Sequence, residues 1–202
     1  ILELASGKIN NLVNLVSELL DLARIEAGMV GREMQEIQLK DMLTDQVDFH
    51  RAGADEKNIT INLELDNDLP VIQADKQGID EVITNLLSNA IKYSPNDSII
   101  SVSADVEGNE VLLRVRDTGY GIPEEDLAEI FNRFHRVKDK NTREIHGTGL
   151  GLAIVKHVLL RHEARLDIDS RLGEGATFRC IFPSSRLAAA DPVALGRAGA
   201  VH

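Results

Sequence analysis

The segment Asn85–Tyr93 constrains the fold most strongly, because it separates polar from apolar side chains at helical spacing. On a helix, residues three and four positions apart are neighbours. One stripe of this segment is then polar and consists of Asn85, Asn89, Lys92 and Tyr93. The opposite stripe is apolar, which predicts that it faces a core, and it consists of Val82, Ile83, Leu86, Ala90 and Ile91.

The two asparagines of the polar stripe indicate a requirement other than helix stability. Asparagine is a poor residue inside a helix because its side chain competes for backbone hydrogen bonds. A carboxamide oxygen is a suitable ligand for Mg²⁺, and a nearby lysine suits phosphate. The alternative is that Asn85 and Asn89 are solvated or capping residues without a ligand.

Length and charge limit the possible classes of protein. The chain has 202 residues, which is enough for one domain with a real core and a smaller element. Its formal net charge of −11 argues against general affinity for nucleic acid. A single cysteine, Cys180, rules out an internal disulfide framework and indicates a reducing compartment. The sequence begins at Ile1 and has no apolar run long enough to span a bilayer, so we expect a fragment whose membrane segment, if any, lies upstream.

Three regions are predicted along the chain. Residues 1–30 are typical of one amphipathic helix that needs a bundle partner, either in a dimer or from missing sequence. The alternative is that this helix packs on its own domain. Residues 31–186 are predicted to form the main domain, and residues 187–202 are Ala- and Gly-rich without periodicity and are expected to be disordered.

The main domain is predicted to be an α+β sandwich, a mixed sheet with helices on one face. The predicted strands are Met34–Leu39, Ile59–Leu65, Val71–Ile72, Ile99–Val106, Glu110–Arg116, Arg165–Ser170 and Ala176–Phe182. The predicted helices are Asp41–Gly53, 76–93, a short one after Pro123, and Gly149–His162, with a basic polar loop at 132–148.

Three glycine-containing motifs could bind a ligand. Asp117–Gly121 follows a predicted strand, where the Asp117 carboxylate can accept a hydrogen bond from a flat ligand. The alternatives are that Asp117 is an aspartate of an ordinary turn, or that it forms half of an aspartic-protease dyad in a homodimer. Gly147–Leu152 opens a helix whose N-terminus can cradle phosphate, although no strand immediately precedes it. Gly173–Phe178 is explained by a hairpin turn when it is judged alone. The loop before the second motif is predicted to be either a mobile lid over phosphates or a solvated loop, and its cations are Arg133, Arg136, Lys138, Lys140 and Arg143.

The order and spacing of these motifs resemble the ATP-binding domain of two-component sensor histidine kinases, within the gyrase, Hsp90 and MutL ATPase fold. The resemblance covers residues 1 to about 185, and residues 1–30 resemble the second helix of the family's dimerisation hairpin. Leu152–Pro183 is similar, more narrowly, to phosphate-regulon sensor kinases. The matching boxes are Asn85–Tyr93 (N box), Asp117–Gly121, Gly147–Leu152 and Gly173–Phe178 (glycine boxes), and Phe131–Phe134 (F box).

This resemblance implies ATP and Mg²⁺ as the bound groups and assigns roles to single residues. Asn89 would be the Mg²⁺ ligand, and Asn85 would lie beside it near the phosphates, both as catalytic residues. Asp117 would accept a hydrogen bond from the exocyclic amine of adenine. The other residues implied to contact nucleotide are Lys92, Tyr93, Gly119, Gly121, Arg133, Arg136, Gly147, Thr148, Gly149, Leu150, Gly151 and Thr177.

The implied function is transfer of the ATP γ-phosphoryl group to a histidine, and from there to an aspartate of a response-regulator receiver domain. Two alternatives remain, a clamp-type ATPase of the same fold and a non-catalytic ATP-sensing dimerisation module. The resemblance also implies a homodimer formed through the N-terminal helix, and a cytoplasmic domain of a sensor that a missing segment could anchor in the inner membrane.

The sequence departs from the family pattern at two points. No acceptor box of the form His-Glu-x-Arg/Lys-Thr/Ser-Pro occurs, so the acceptor histidine is expected upstream of Ile1. His162–Arg165 shares only the first part of that box, and it lies between a predicted helix and a predicted strand, so we do not take it as the acceptor. Ala176 occupies a position where a hydroxyl residue is common.

Overall fold

In the computed structural model the described residues are 33–137, 139–143, 145 and 147–183, together with Val16. The predictions for residues 1–30 and 187–202 therefore lie outside the described residues, apart from Val16, which is helical and half exposed. No helix among the described residues is both long and apolar enough to cross a membrane.

A five-stranded mixed sheet forms the centre of the domain, with the strand order β2-β4-β5-β7-β6. Strands β2 and β4 are parallel, and all other neighbours are antiparallel. The predicted mixed sheet is therefore confirmed. Its strands are β2 Thr60–Leu65, β4 Ile99–Glu107, β5 Glu110–Asp117, β6 Arg165–Arg171 and β7 Gly175–Phe182.

Three helices cover one face of this sheet: α1 Leu39–Asp55, α2 Lys76–Lys92 and α3 Gly151–Arg161. Helix α2 lies between the other two and contacts both of them. Its predicted apolar stripe is buried in the core, with Ile91 only partly covered. A short 3₁₀ helix, Glu124–Asp126, follows Pro123 as expected.

A second, two-stranded antiparallel sheet was not predicted. It pairs β1, Met34–Ile37, with β3, Ile72–Asp75, and joins the start of the domain to the start of α2. The short strand expected at Val71–Ile72 thus begins one residue later and extends to Asp75. The carboxylate of Asp75 also caps α2, because its Oδ1 accepts a hydrogen bond from Gln77 N at 3.2 Å.

Two helices begin at positions other than those expected. Helix α1 begins at Leu39 rather than Asp41, and Leu39 is fully buried, so its apolar side chain extends the core-facing stripe. Helix α3 begins at Gly151 rather than Gly149, because Gly149 has φ +74°, a left-handed conformation that a right-handed helix cannot contain.

Candidate functional site

A cavity of about 610 Å³ lies between α2, the loop after β5, the segment before α3 and the start of β7. This volume is within the range of pockets that bind small molecules. All five motifs, which are separated by up to about ninety residues in the chain, contribute to its lining. The predicted residues in the lining are Asn85, Asn89, Lys92, Tyr93, Asp117, Gly121, Arg136, Gly147, Thr148, Gly149 and Gly151.

The polar stripe of α2 forms one wall of this cavity. Asn85 Nδ2 donates a hydrogen bond to the carbonyl of Glu81 at 2.9 Å, within its own helix. The Asn89 carboxamide, in contrast, has no hydrogen bond to any residue that the structure describes. The Asn85 hydrogen bond uses only its Nδ2, so the side-chain oxygens of both asparagines can bind a ligand without breaking a hydrogen bond to a described residue, and the Asn89 carboxamide is also free to rotate toward one.

Asp117 is buried at the end of β5, and only 6% of its surface is exposed. Its Oδ1 accepts hydrogen bonds from Gly119 N at 2.8 Å and from Ala176 N at 3.3 Å. Burial raises the pKa of this carboxyl, and the two backbone hydrogen bonds oppose that rise. Its Oδ2 has no hydrogen-bond partner among the described residues, so it can accept one from a ligand.

The loop after Asp117 approaches α2 and the last turn closely. A Cβ atom added at Gly119 would lie 2.5 Å from the carbonyl oxygen of Tyr93, so only glycine fits there. Gly121 has φ +68°, and a Cβ atom there would overlap the carbonyl of Arg171. Ser170 ties this loop down, because its Oγ accepts from Ile122 N at 2.9 Å and donates to Gly175 O at 2.7 Å.

The glycines of residues 147–151 bring backbone close to functional side chains. A Cβ atom at Gly147 would lie 2.7 Å from Lys92 Nζ, and one at Gly151 would lie 2.5 Å from Asn85 Oδ1. Helix α3 begins at Gly151, without a side-chain cap, at the edge of the cavity. Its free backbone N–H groups and positive dipole end favour an anion at this position.

The described residues between Phe134 and Gly147 form hydrogen bonds with one another. Thr142, which is buried, donates from Oγ1 to Val137 O at 3.0 Å and accepts from Asp139 N at 3.2 Å. The Arg136 guanidinium donates to the carbonyl of Ile145 and so crosses the loop. In the conformation described, residues of this segment form a wall of the cavity, and its mobility as a lid stays a prediction.

Four predicted residues lie outside the cavity lining. Arg133 is exposed, and Leu150 is fully buried in the hydrophobic core, so its side chain cannot reach a ligand in the cavity. Gly119 lies behind Asp117 and Tyr93. Thr177 follows Ala176 on β7, and successive side chains of a strand point to opposite faces, so its hydroxyl lies on the sheet face away from the cavity.

The sequence did not identify most of the apolar lining. Ser88 could have been found, because it is three residues from Asn85 on the same helix face. Phe178 and Ala176 alternate on β7 and could have been found from the strand period. Ala90 and Leu152 lie on helices α2 and α3, whereas the others lie in the connection between β5 and α3, which has no periodic signal. The additional lining residues are Ser88, Ala90, Ile122, Ile130, Phe134, His135, Val137, Thr142, Leu152, Ala176 and Phe178.

His162 has a structural role in the interior. Its Nε2 accepts a hydrogen bond from Asp75 N at 3.0 Å, and its Nδ1 lies 2.8 Å from Val158 O. The ring is buried, with 4% of its surface exposed. Both ring nitrogens therefore have hydrogen-bond partners, which agrees with the prediction that His162 is not the phosphoryl acceptor.

Comparison with known protein families places most of the domain in one group. Residues 74–186 match the family model described as histidine kinase-, DNA gyrase B-, and HSP90-like ATPase. The matched range contains α2, the loop after β5, the segment before α3 and the β6–β7 turn. It therefore includes every residue that lines the cavity.

Relatives and solved structures agree with this match. The sensor-like histidine kinase SenX3 of Mycobacterium bovis is 33% identical over 175 residues, which are 87% of this chain and 42% of SenX3. Full-length ShkA in complex with AMPPNP has a TM-score of 0.77 and 27% identity, over 90% of this chain and 37% of that one. The histidine kinase ThkA in complex with the response regulator TrrA shares the fold, with a TM-score of 0.70 and 24% identity over 89% of this chain and 49% of that one. The chain spans only 21% to 42% of the curated relatives it matches first.

Proposed function

The chain belongs to the histidine kinase-, DNA gyrase B- and HSP90-like ATPase family, and on that premise we propose that it is the ATP-binding catalytic part of a sensor histidine kinase. The observation that carries the proposal is the convergence of Asn89, Asp117 and the glycine segment before α3 on a single cavity. Curated relatives named as histidine kinases match more than four fifths of the chain, which supports this choice within the family.

The base of ATP fits the end of the cavity at Asp117. Its free Oδ2 can accept a hydrogen bond from the exocyclic amine of adenine, while Oδ1 remains bound to two backbone N–H groups. Ile122 and Phe178 line the same cavity and supply apolar surface for a flat ring. A purine with a carbonyl in place of that amine would place two acceptors against each other, so the site favours adenine.

The phosphates fit the other end, where cations and backbone N–H groups meet. Lys92 Nζ lies beside Gly147, and the N-terminus of α3 adds the positive end of a helix dipole. The Asn89 carboxamide, which has no hydrogen bond to a described residue, would hold Mg²⁺ together with phosphate oxygens. When bound, this ion neutralises charge on the phosphates during transfer.

The catalytic contribution of this chain is then positioning and electrostatic stabilisation. The cavity orients the γ-phosphoryl group for an in-line attack by an imidazole nitrogen, and such transfers depend mainly on geometry and charge. The acceptor histidine would lie upstream of Ile1, on the partner helix of residues 1–30 in a dimer. An aspartate of a receiver domain would be the subsequent acceptor, as the ThkA complex with TrrA supports for a protein of the same fold.

A transfer assay in trans tests this function. The 202-residue chain is mixed with a separately produced helical hairpin that carries an acceptor histidine, and γ-labelled ATP is added. We expect label on the hairpin and none on the 202-residue chain itself. The Asp117→Asn variant serves as the control with weakened ATP binding, and it should label the hairpin less at a subsaturating ATP concentration. Steady release of free phosphate without labelled hairpin would instead favour the clamp-type ATPase, and nucleotide binding without either reaction would favour the ATP-sensing module.

A further inference from the structure

Lys57 lies outside the cavity lining, in the connection between α1 and β2, yet its side chain reaches the helix that carries the asparagines. Its Nζ donates hydrogen bonds to three carbonyl oxygens, two in the last turn of α2 and one just after the helix. The distances are 2.8 Å to Ile91 O, 3.3 Å to Lys92 O and 2.6 Å to Ser94 O. The backbone of Lys57 contacts the same region, because its carbonyl accepts from Asp97 N at 3.0 Å.

Carbonyl dipoles are the only partners of this ammonium among the described residues, where no carboxylate forms an ion pair with it. The last carbonyls of a helix have no partner within the helix, and they carry the negative end of its dipole. Burial lowers the pKa of Lys57, so holding a cation here has a desolvation cost. Three hydrogen bonds from the Lys57 ammonium therefore fix the backbone of residues 91–94, and the ammonium loses part of its hydration.

The segment Lys92–Ser94 is where the ligand-binding loops meet. The carbonyl of Tyr93 accepts a hydrogen bond from Tyr120 N at 3.0 Å, and a Cβ atom at Gly119 would touch both this carbonyl and Ser94 Oγ. Lys92 and Tyr93 line the cavity, and Lys92 Nζ lies next to Gly147. A shift of this segment would consequently move the base-binding loop and the phosphate-binding lysine together.

We propose that Lys57 is a positioning residue for nucleotide binding, which acts by holding residues 91–94 in the conformation that aligns the base-binding and phosphate-binding ends of the cavity. The proposal rests on the proposed function, since it assumes that ATP is the ligand. It differs from a role in stability alone because the held segment forms part of the cavity.

The test compares Lys57→Met with Lys57→Arg in the 202-residue chain, by calorimetric titration with AMPPNP and Mg²⁺. Methionine keeps the apolar length of the side chain and removes every donor, and we expect about tenfold weaker binding, the effect of one charge-assisted hydrogen bond. Arginine retains the charge and several donors, and we expect it to restore affinity to within about threefold of the original chain. Lys40→Met, the same exchange at an exposed position of α1, should leave affinity unchanged.

A second control separates positioning from general destabilisation. Val47→Ala removes two methyl groups from the fully buried face of α1 and should lower the melting temperature while it leaves every hydrogen bond of Lys57 in place. At a temperature where all variants are folded, Val47→Ala should bind as tightly as the original chain. If Lys57→Met does not fold, Lys57→Gln replaces it in the test. The glutamine amide can donate to at most two of the three carbonyls, so we expect AMPPNP affinity to fall at least about threefold.

The outcomes distinguish this inference from the function on which it rests. No binding of AMPPNP by the original chain would overturn both. If the original chain binds AMPPNP and Lys57→Met or Lys57→Gln binds it with the same affinity, only the positioning role is overturned. An equal loss in Lys57→Arg and Lys57→Met, or a loss in Val47→Ala as large as theirs, would also overturn it, because it would show that packing rather than the three hydrogen bonds sets the affinity.

Discussion

Replacement of Asp117 by asparagine tests the base-binding end of the cavity without a change in shape. Asparagine can still accept the hydrogen bonds from Gly119 N and Ala176 N through its Oδ1. Its Nδ2 donates where Oδ2 accepted, so it meets the donating amine of adenine with a second donor. We expect the loss of a hydrogen bond to a charged group, about 1.5–3 kcal/mol, which corresponds to roughly 10- to 150-fold weaker binding of ATP.

The same exchange should not destabilise the fold at neutral pH. Burial raises the pKa of Asp117 in the folded chain above its unfolded value. The folded state then binds the proton more tightly, so stability is highest below the unfolded pKa and falls as pH rises towards the folded pKa. Asparagine carries no charge to desolvate. We therefore expect its melting temperature at pH 7 to equal or exceed that of the original chain.

Calorimetric titration with ATP and with inosine triphosphate, at fixed Mg²⁺, measures this effect. The original chain should prefer ATP, and Asp117→Asn should lose that preference because its amide can donate to the 6-oxo group of inosine. Asp45→Asn, at an exposed position of α1, provides the matched control and should bind as the original chain does. Unchanged ATP affinity and purine preference in a folded Asp117→Asn variant would refute the assignment of Asp117 to the base.

Three further substitutions test other parts of the site. Asn89→Ala removes the carboxamide oxygen and should abolish the Mg²⁺-dependent part of ATP binding, which titration with and without the metal measures. Undiminished dependence on Mg²⁺ would show that another residue binds the metal. Ser170→Ala removes the hydroxyl between Ile122 N and Gly175 O and should weaken ATP binding about threefold to tenfold. Ser170→Thr keeps a hydroxyl and should retain most of the affinity. Equal affinities in the two variants would contradict the role of the hydroxyl. His162→Phe leaves Asp75 N without its acceptor and should cost about 1–3 kcal/mol in urea unfolding, while the folded variant still labels the hairpin in trans. Label on the original 202-residue chain that His162→Phe lacks would contradict this structural role and identify His162 as an acceptor.

The core and the central motif were predictable because periodicity reports them directly. The apolar stripe of α2 lies in the core, and Asn85 and Asn89 line the cavity, as their spacing predicts. The hairpin of β4 and β5 turns at Gly108, which has φ +61° and so requires a residue that tolerates the left-handed region. Local patterns sufficed for these elements because one face of each is buried.

Other features depend on contacts between distant residues, which no local pattern encodes. The pairing of β1 with β3 joins segments more than thirty residues apart. The family resemblance assigns Thr177 to the nucleotide-binding residues, but the pairing of Asp117 with Ala176 sets the register and turns Thr177 to the other face. Lys57 had no motif of its own, and only the folded chain brings its ammonium to the end of α2.

A crystal structure of the 202-residue chain with AMPPNP and Mg²⁺ tests the central claim most directly. We predict that the exocyclic amine of adenine lies within hydrogen-bond distance of Asp117 Oδ2, with Mg²⁺ bound by the Asn89 side-chain oxygen. The phosphates should lie between Lys92 and the N-terminus of α3. Nucleotide bound outside this cavity, or inside it with the base at α3 and the phosphates at Asp117, would contradict the account.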